Sequence, residues 1–544
     1  MFHIDDLRTL LVVFALALTF IWLKKKGSSI TPRRPSPPGP WRWPILGSVS
    51  VIPAVISDVK RHQLRTVLAE KYGKILSFKI GSLNVVWLND METIKEAFVT
   101  KGEVISDRMS SDSKSFFAIS GDLAKYSGLG IGETNYGKAF KERKRLALQS
   151  MKEFGFGGVS LEDRVVEEAR LLVDELKKAA TSPSKDANKR STGVHNHVVH
   201  LAVSNVICSV VFGRRFDYAD EKFVSVVDAI RFLFSGQKSS VITQIPFARY
   251  LPAVQRLMEK ESRAAASLQT FIEEQIQAHE SDFDPGEDPK DFIDICLLKA
   301  HLEAENARNG VVQSDENSVG TENVKKIIAD LFFAGTDTTA SSLSWFILFM
   351  IHYPEIQKRC HEEVDRWIGD GNPVELSKDN VVKSLPYTAA TLLEVQRVAS
   401  IASASLPHFV REDVTIAGYH VPKDSFVLAN IRFVHFDERN WERPNEFDPT
   451  RWLKWPVCDT AGDGATTPQL IQHPHFIPFS IGKRRCLGEN LAKAEYLIFG
   501  VSLLKEFRFC AEENAVLPSL EGRGLIYGPQ PFELVLERRN CTDG

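Results

Sequence analysis

Helical periodicity dominates the chain from about Val51 onward, and strict alternation of apolar and polar residues is confined to short pieces. The clearest of these is Ile75 to Leu88, where two alternating runs flank Gly81-Ser82 and predict a β-hairpin. Polar stretches at Thr181 to Thr192, His279 to Asp288, Asn306 to Val319 and Asp459 to Gln472 read as surface loops. None of them splits the apolar pattern, and no segment repeats. The expectation is a single large domain over residues 51–544, mainly α with small β-sheets.

One segment breaks its own rule. Val324 to Ile351 is largely apolar until His352-Tyr353-Pro354 stops it, which predicts roughly 28 residues of helix, about 42 Å long. Its centre holds Ala334-Gly335-Thr336-Asp337-Thr338-Thr339 and then Ala340-Ser341-Ser342. These are mostly poor helix formers, with a summed cost on the order of 3 to 4 kcal/mol against alanine. A local rule broken inside a strong element marks a candidate site. Gly335 is expected to let a cofactor approach the backbone. The Thr338 hydroxyl can bond the Ala334 carbonyl and open the ladder into a groove.

The N-terminus differs from the body. Leu10 to Leu23 is apolar apart from Thr19, shorter than the ~20 residues a span needs and close to a signal-peptide core. Asp5 and Asp6 precede it, Lys24, Lys25 and Lys26 follow it, and no small-residue cleavage site comes after. The reading is an uncleaved signal anchor over residues 1–26 that leaves the body in the cytosol. Residues 27–50, with Thr31-Pro-Arg-Arg-Pro-Ser-Pro-Pro-Gly-Pro40, read as an extended proline-rich hinge. The sequon at Asn540 is then cytosolic and expected to be unmodified.

Composition narrows the chemistry. With 43% apolar and 25% charged residues and a net charge of -3, the chain is an ordinary globular protein without the basic footprint of nucleic-acid binding. Its seven cysteines are scattered and unpaired in spacing, which is not a disulfide framework. One of them stands apart, in Phe479-Ser-Ile-Gly-Lys-Arg-Arg-Cys-Leu-Gly488 followed by Glu489 to Glu495 at helical spacing. A cysteine in a glycine-bearing turn before a helix can have backbone N–H groups directed at its sulfur, as a metal-bound thiolate needs. On the residues alone, a buried structural cysteine explains the segment equally well.

The segment resembles the haem-binding loop of the cytochrome P-450 superfamily, matching Phe479, Gly482, Arg484, Cys486 and Gly488 in type and spacing. The resemblance implies haem b as cofactor, Cys486 as axial ligand to its iron, and a thiolate that promotes O–O cleavage. It extends from the proline hinge to Pro529-Gln-Pro-Phe-Glu-Leu534. Ala334 to Thr339 resembles the family's oxygen-activating stretch, implying that Thr338 hydrogen-bonds dioxygen and Asp337 relays protons. Glu394-Val-Gln-Arg397 with Arg451 matches the family's structural charge cluster. Arg108, His408 and Arg484 match its contacts to the haem propionates. Lys144 stands where an arginine is usual, Phe140 where a tryptophan is usual and Thr450 where a glutamate is common. Phe140 lacks the indole donor and Lys144 offers a charge but no fork, which implies a haem held slightly less firmly.

Asn205 to Gly213, Asp291 to Asp294 and Leu406 to His408 resemble the animal microsomal branch, family 2. That implies a single-pass protein of the endoplasmic reticulum membrane and an apolar substrate: a steroid, a fatty acid or a xenobiotic. It also implies NADPH-cytochrome P-450 reductase as electron donor, with cytochrome b5 as a second candidate partner. The basic run Lys138 to Arg145, with Lys483 and Arg485, reads as a docking face for the reductase or as a solvated face. By family position, substrate contacts come from Ser115 to Ile119, Ala229 to Ser235, Phe333, Ala404, Ser405 and Leu525 to Tyr527. A haem-thiolate isomerase or dehydratase that needs no reductase is the rival reading, and a non-catalytic haem or lipid binder is a third. His195, His197 and His200 look like a metal cluster but open an apolar helix. Gly128-Leu-Gly-Ile-Gly132 reads as a turn, since no strand precedes it.

Overall fold

The computed structural model describes residues 35–539 apart from 44–45, 58–59, 109–127, 154–158, 182–196, 237–241, 244, 246, 310–319, 370–376, 456–467, 513–514 and 534. The apolar run Leu10 to Leu23, Ser115 to Ile119, the sequon and most of the segments after Thr181, Asn306 and Asp459 lie outside the described residues. No helix among the described residues is long and apolar enough to cross a membrane.

The longer helices are α1 (Lys60–Tyr72), α2 (Lys138–Glu153), α3 (Val159–Thr181), α4 (His197–Val211), α5 (Glu221–Gly236), α6 (Pro252–Asp282), α7 (Phe292–Arg308), α8 (Thr321–His352), α9 (Pro354–Gly369), α10 (Pro386–Ala399) and α11 (Glu489–Glu506). The hairpin forms as the alternation predicts, with β1 (Ile75–Ile80) antiparallel to β2 (Leu83–Leu88) across Gly81-Ser82. Its register pairs Ile75 with Leu88 and Ile80 with Leu83. Strands β3 (His408–Phe409) and β4 (Phe426–Ala429) complete a four-stranded sheet in the order β1-β2-β4-β3, with β2 and β4 parallel. The other sheets are two-stranded, among them β5 (Phe507–Cys510) with β6 (Val535–Arg538). The fold is mainly α with small sheets, as the pattern implied.

Helix α8 is the axis of the main core, buried along most of its length between α4, α10 and α11. It runs three residues earlier than the apolar pattern suggested, because Gly320 and Thr321 carry no apolar signal at its first turn. Its hydroxyls are satisfied locally: Thr336, Thr338, Ser342 and Ser344 each donate to the carbonyl four residues back. These bonds let polar residues sit in a buried helix, which is continuous through this stretch.

Three sequence expectations are corrected by the packing. Gly335 does not make room for a cofactor: a Cβ there would stand 3.1 Å from Ile207 Cγ1, so the glycine lets α4 close up against α8. The presumed loop at His279 is still helix, since α6 continues to Asp282 while His279 bonds Gln275 O through Nδ1 and Asp291 through Nε2. Helix α7 likewise runs to Arg308, past the presumed start of a loop at Asn306.

Candidate active site

Cys486 lies between a 3-10 turn, Gly482–Arg484, and the first turn of α11. The turn is possible because Gly482 has φ +81° and no side chain; a Cβ there would collide with the Phe98 carbonyl. Cys486 N–H donates to Phe479 O at 3.1 Å, which closes the loop. The protein packed around the loop partly desolvates the thiol and pushes it up although its surface is open, while the Gly488 N–H at its sulfur and the charges of Arg485 and Lys144 pull it down. Backbone N–H directed at the sulfur is the feature the loop sequence suggested.

Helix α11 packs on α8, and the open residues of the site lie on α8 and in the turn before α11. Cys486 and Ala334 are exposed although the elements around them are buried, and the Thr338 hydroxyl, 2.9 Å from Ala334 O, is open as well. Asp337 is buried on another face of α8, where its Oδ1 meets His200 Nε2 at 3.3 Å. Thr339 bonds Glu495 of α11, a buried carboxyl that burial pushes up to about 8.

A second group is collected beside β3. Arg108 and His408 are buried, and Arg484 is half-buried beside them. Among the described residues Arg484 donates to carbonyls, those of Ser106, Ile131 and Thr134. Arg108 donates to Pro407 O, and its Nε has no hydrogen-bond partner among the described residues. His408 stacks on Phe98 at 4.0 Å and donates through Nδ1 to Ile105 O. Nearby Asp107 is taken by Arg411. Burial and the charge of Arg484 hold Arg108 well below the usual arginine range; burial, then Arg108 and Arg484, depress His408. Burial takes Arg484 down to about 10. Among the described residues no carboxylate is hydrogen-bonded to these three basic groups, and together they form a receptor for carboxylates.

Phe140 and Lys144 extend that group. The Arg484 guanidinium lies 3.8 Å from the Phe140 ring centroid, so the phenylalanine holds the arginine by a cation–π contact although it has no indole N–H. Lys144 is depressed by burial and by Arg484, and the Cys486 sulfur acts against both.

Glu394, Arg397 and Arg451 meet in one cluster. Arg397 grips Glu394 with Nε at 2.9 Å and Nη2 at 2.7 Å, and Arg451 Nε reaches Glu394 Oε1 at 2.9 Å. Trp452 Nε1, which sequence reasoning did not single out, donates to the other oxygen at 2.9 Å. Thr450 bonds Asp448 instead of joining the cluster.

Of the substrate-contact positions, Phe234 of α5 stacks on Phe333 of α8 at 4.1 Å, and Leu525 N–H donates to Phe234 O. Of the histidines that suggested a metal cluster, His195 lies outside the described residues, while His197 meets Asp228 and His200 meets Asp337. The glycine turn at Gly128 wraps a carboxylate of the chain itself: Ile131 and Gly132 N–H both donate to Asp330 Oδ2 at 2.8 Å.

The comparisons with known proteins agree with one another. The family model described as Cytochrome P450 matches residues 37–536. Cytochrome P450 2U1 of Bos taurus is 34% identical, covering 97% of this chain and 93% of the relative. The Homo sapiens protein of that name is 33% identical over 96% of this chain and 92% of its own length. Cytochrome P450 2J2 of Homo sapiens is 33% identical over 97% and 95%. The chain therefore belongs to the cytochrome P450 family of oxidoreductases, monooxygenases that bind haem b through a cysteine thiolate.

Proposed function

We propose that Cys486 is the axial thiolate and that the enzyme inserts one oxygen atom of O2 into a steroid, fatty acid or xenobiotic, using NADPH electrons from a membrane reductase. The observation that carries this is the Gly488 N–H on the Cys486 sulfur, at the start of the helix packed on α8. Such a donor holds charge on sulfur when a cation is bound.

The described residues fit haem. Its two propionates match the three basic groups Arg108, His408 and Arg484, and the unpartnered Arg108 Nε is a donor waiting for an acceptor. A carboxylate among them would offset the burial, and with it the mutual repulsion, that depress Arg108 and His408. Lys144 adds charge beside Cys486, Phe479 closes the loop through its carbonyl, and Ala334 offers a small surface on α8. When bound, haem supplies the activation of dioxygen, with the thiolate favouring O–O cleavage.

The chain's own part is to position and protonate. Thr338 Oγ1, tied to Ala334 O, presents a hydroxyl on the open face of α8, and Asp337 one residue earlier is the acid that resupplies it. Phe234, Phe333 and Leu525 to Tyr527 enclose the apolar substrate and exclude water. Lys138, Lys141, Arg145, Lys483 and Arg485 are exposed around the cysteine loop and suit an acidic reductase, or cytochrome b5. Residues 1–26 anchor the chain in the endoplasmic reticulum membrane with residues 51–544 in the cytosol. Exposed Trp41, Trp43 and Leu46, in the hinge directly after its proline-rich run, support a membrane-facing side.

The test is the reduced carbon monoxide difference spectrum of the purified protein beside Cys486→Ser. A strongly red-shifted Soret band that the variant lacks is expected. A band at the ordinary histidine-haem position overturns the ligand assignment. Turnover of a lipid peroxide without NADPH, and none with it, favours the isomerase reading.

A further inference from the structure

His200 has no part in the scheme above, yet it is the residue Asp337 meets. It lies on α4, which the missing side chain of Gly335 allows to pack closely on α8. Nε2 of His200 is 3.3 Å from Asp337 Oδ1, and the two side chains are 6% and 9% exposed. A carboxylate at that depth is costly unless a donor faces it, and an imidazole is a donor that can also give up its proton. One turn earlier on α4 stands His197, 27% exposed. Its Nδ1 lies 3.2 Å from Arg231 Nη1 and 3.4 Å from Asp228 Oδ1, both on α5. Ionisable groups thus follow one another from the α5 surface along α4 to Asp337, separate from the open face that carries Thr338.

We propose that His200 is the proton carrier for Asp337, loaded from solvent on the α5 side of α4. The proposal rests on the assignment of Asp337 and Thr338 to proton delivery. The imidazolium gives its Nε2 proton to Asp337 Oδ1, leaving a neutral ring and a carboxylic acid. Asp337 passes that proton towards the Thr338 hydroxyl, and the ring takes a new one from water on the His197 side. No electrons move at these residues, and one proton enters for each that leaves.

The competing explanation is a structural pair that only ties α4 to α8. His200→Gln separates the two, because its amide can keep an N–H towards Asp337 but cannot carry a proton. The full-length holoenzyme is assayed with reductase and NADPH and no added substrate. Oxygen then leaves either as peroxide (O2 with two electrons and two protons) or as water (O2 with four of each). Losing proton delivery raises the peroxide share.

His200→Gln and Asp337→Asn are each expected to raise that share about twofold or more, and the double variant no further than either. Haem content and melting temperature should stay near wild type in His200→Gln. In the diamagnetic reduced carbon monoxide form, Asp337→Asn should shift the His200 ring signals. A raised share in Asp337→Asn with a wild-type share in His200→Gln overturns the carrier role alone. A wild-type share in Asp337→Asn overturns the assignment of Asp337, and the carrier with it. Should the Gln variant lose haem, His200→Asn takes its place under the same criteria.

Discussion

Glu394 shows at the scale of a residue how much one buried charge can hold. It accepts hydrogen bonds from Arg397 Nε and Nη2, Arg451 Nε, Trp452 Nε1 and Asp448 N, and both it and Arg397 are fully buried. Arg397 also donates to His435 O and Pro444 O, so each of its nitrogens has a partner. Removing the carboxylate strands two guanidinium groups. Breaking such a pair costs about 3 to 5 kcal/mol, against a total stability of about 5 to 15 kcal/mol. Glu394→Ala is therefore expected to lose most of its folded, haem-loaded yield and to unfold at much lower urea. Arg443→Ala, which removes surface pairs with Glu446 and Asp448, should shift the midpoint far less. The two arginines and the glutamate were legible as a motif. Trp452 and the Asp448 amide were not, because their part depends on a turn that only tertiary packing brings under α10. His200 was visible in the sequence but misleading: spacing placed it with His197 on one helix, while their partners come from α8 and α5.

At the scale of elements, the contact between α8 and α11 carries a titration of its own. Burial raises the Glu495 carboxyl from 4.5 to about 8, with the Thr339 hydrogen bond acting in the opposite direction, and its Oε1 has no hydrogen-bond partner. Between about 4.5 and about 8 the folded chain thus keeps a proton that the unfolded chain has already released. Folding is favoured most below the lower value and loses that contribution as pH rises through the upper one. Glu495→Gln, which stays neutral and can still bond Thr339, should flatten the decline of melting temperature across that window and melt higher than wild type at its alkaline end. Calorimetry over the pH series reads this directly; parallel curves for the two proteins would mean that Glu495 does not titrate there. The long helix itself was legible, since its apolar run ends at a proline. Its tolerance of Thr336, Thr338, Ser342 and Ser344 was legible only in part: an i−4 hydroxyl bond was foreseen for Thr338, and the structure repeats it at three further positions.

For the whole molecule, the class of fold follows from periodicity, but the assembly of the sheet does not. Strand β4 joins β2 in parallel from more than three hundred residues away, with Val85 opposite Phe426, and no local pattern records such a pairing. That sheet also organises the side assigned to the membrane. Gly47 bridges to Ile80, and Arg42 bonds Ser77 O, so Trp41 and Trp43, 70% and 59% exposed, are held against the hairpin. Ile245 packs on the same cluster as Val51, Leu68 and Phe78, which brings Phe247, 79% exposed with φ +66°, and exposed Tyr250 and Leu251 to the same region. Apolar and aromatic residues left in water on two separate segments but gathered in one place suit the bilayer interface, where indole and phenol rings settle. Trp455 is equally exposed but follows β-structure beside the Arg451 turn, away from these segments in sequence and packing. In full-length protein embedded in bilayers, with Trp22 replaced by Phe so that the apolar N-terminal run is silent, brominated lipid should quench part of the tryptophan fluorescence. Trp41→Phe with Trp43→Phe should remove most of that quenching, and Trp455→Phe none. If the double replacement changes nothing, the hinge side does not face the membrane. The stand-off of the catalytic domain would then have to be set by the chain before Pro35 alone.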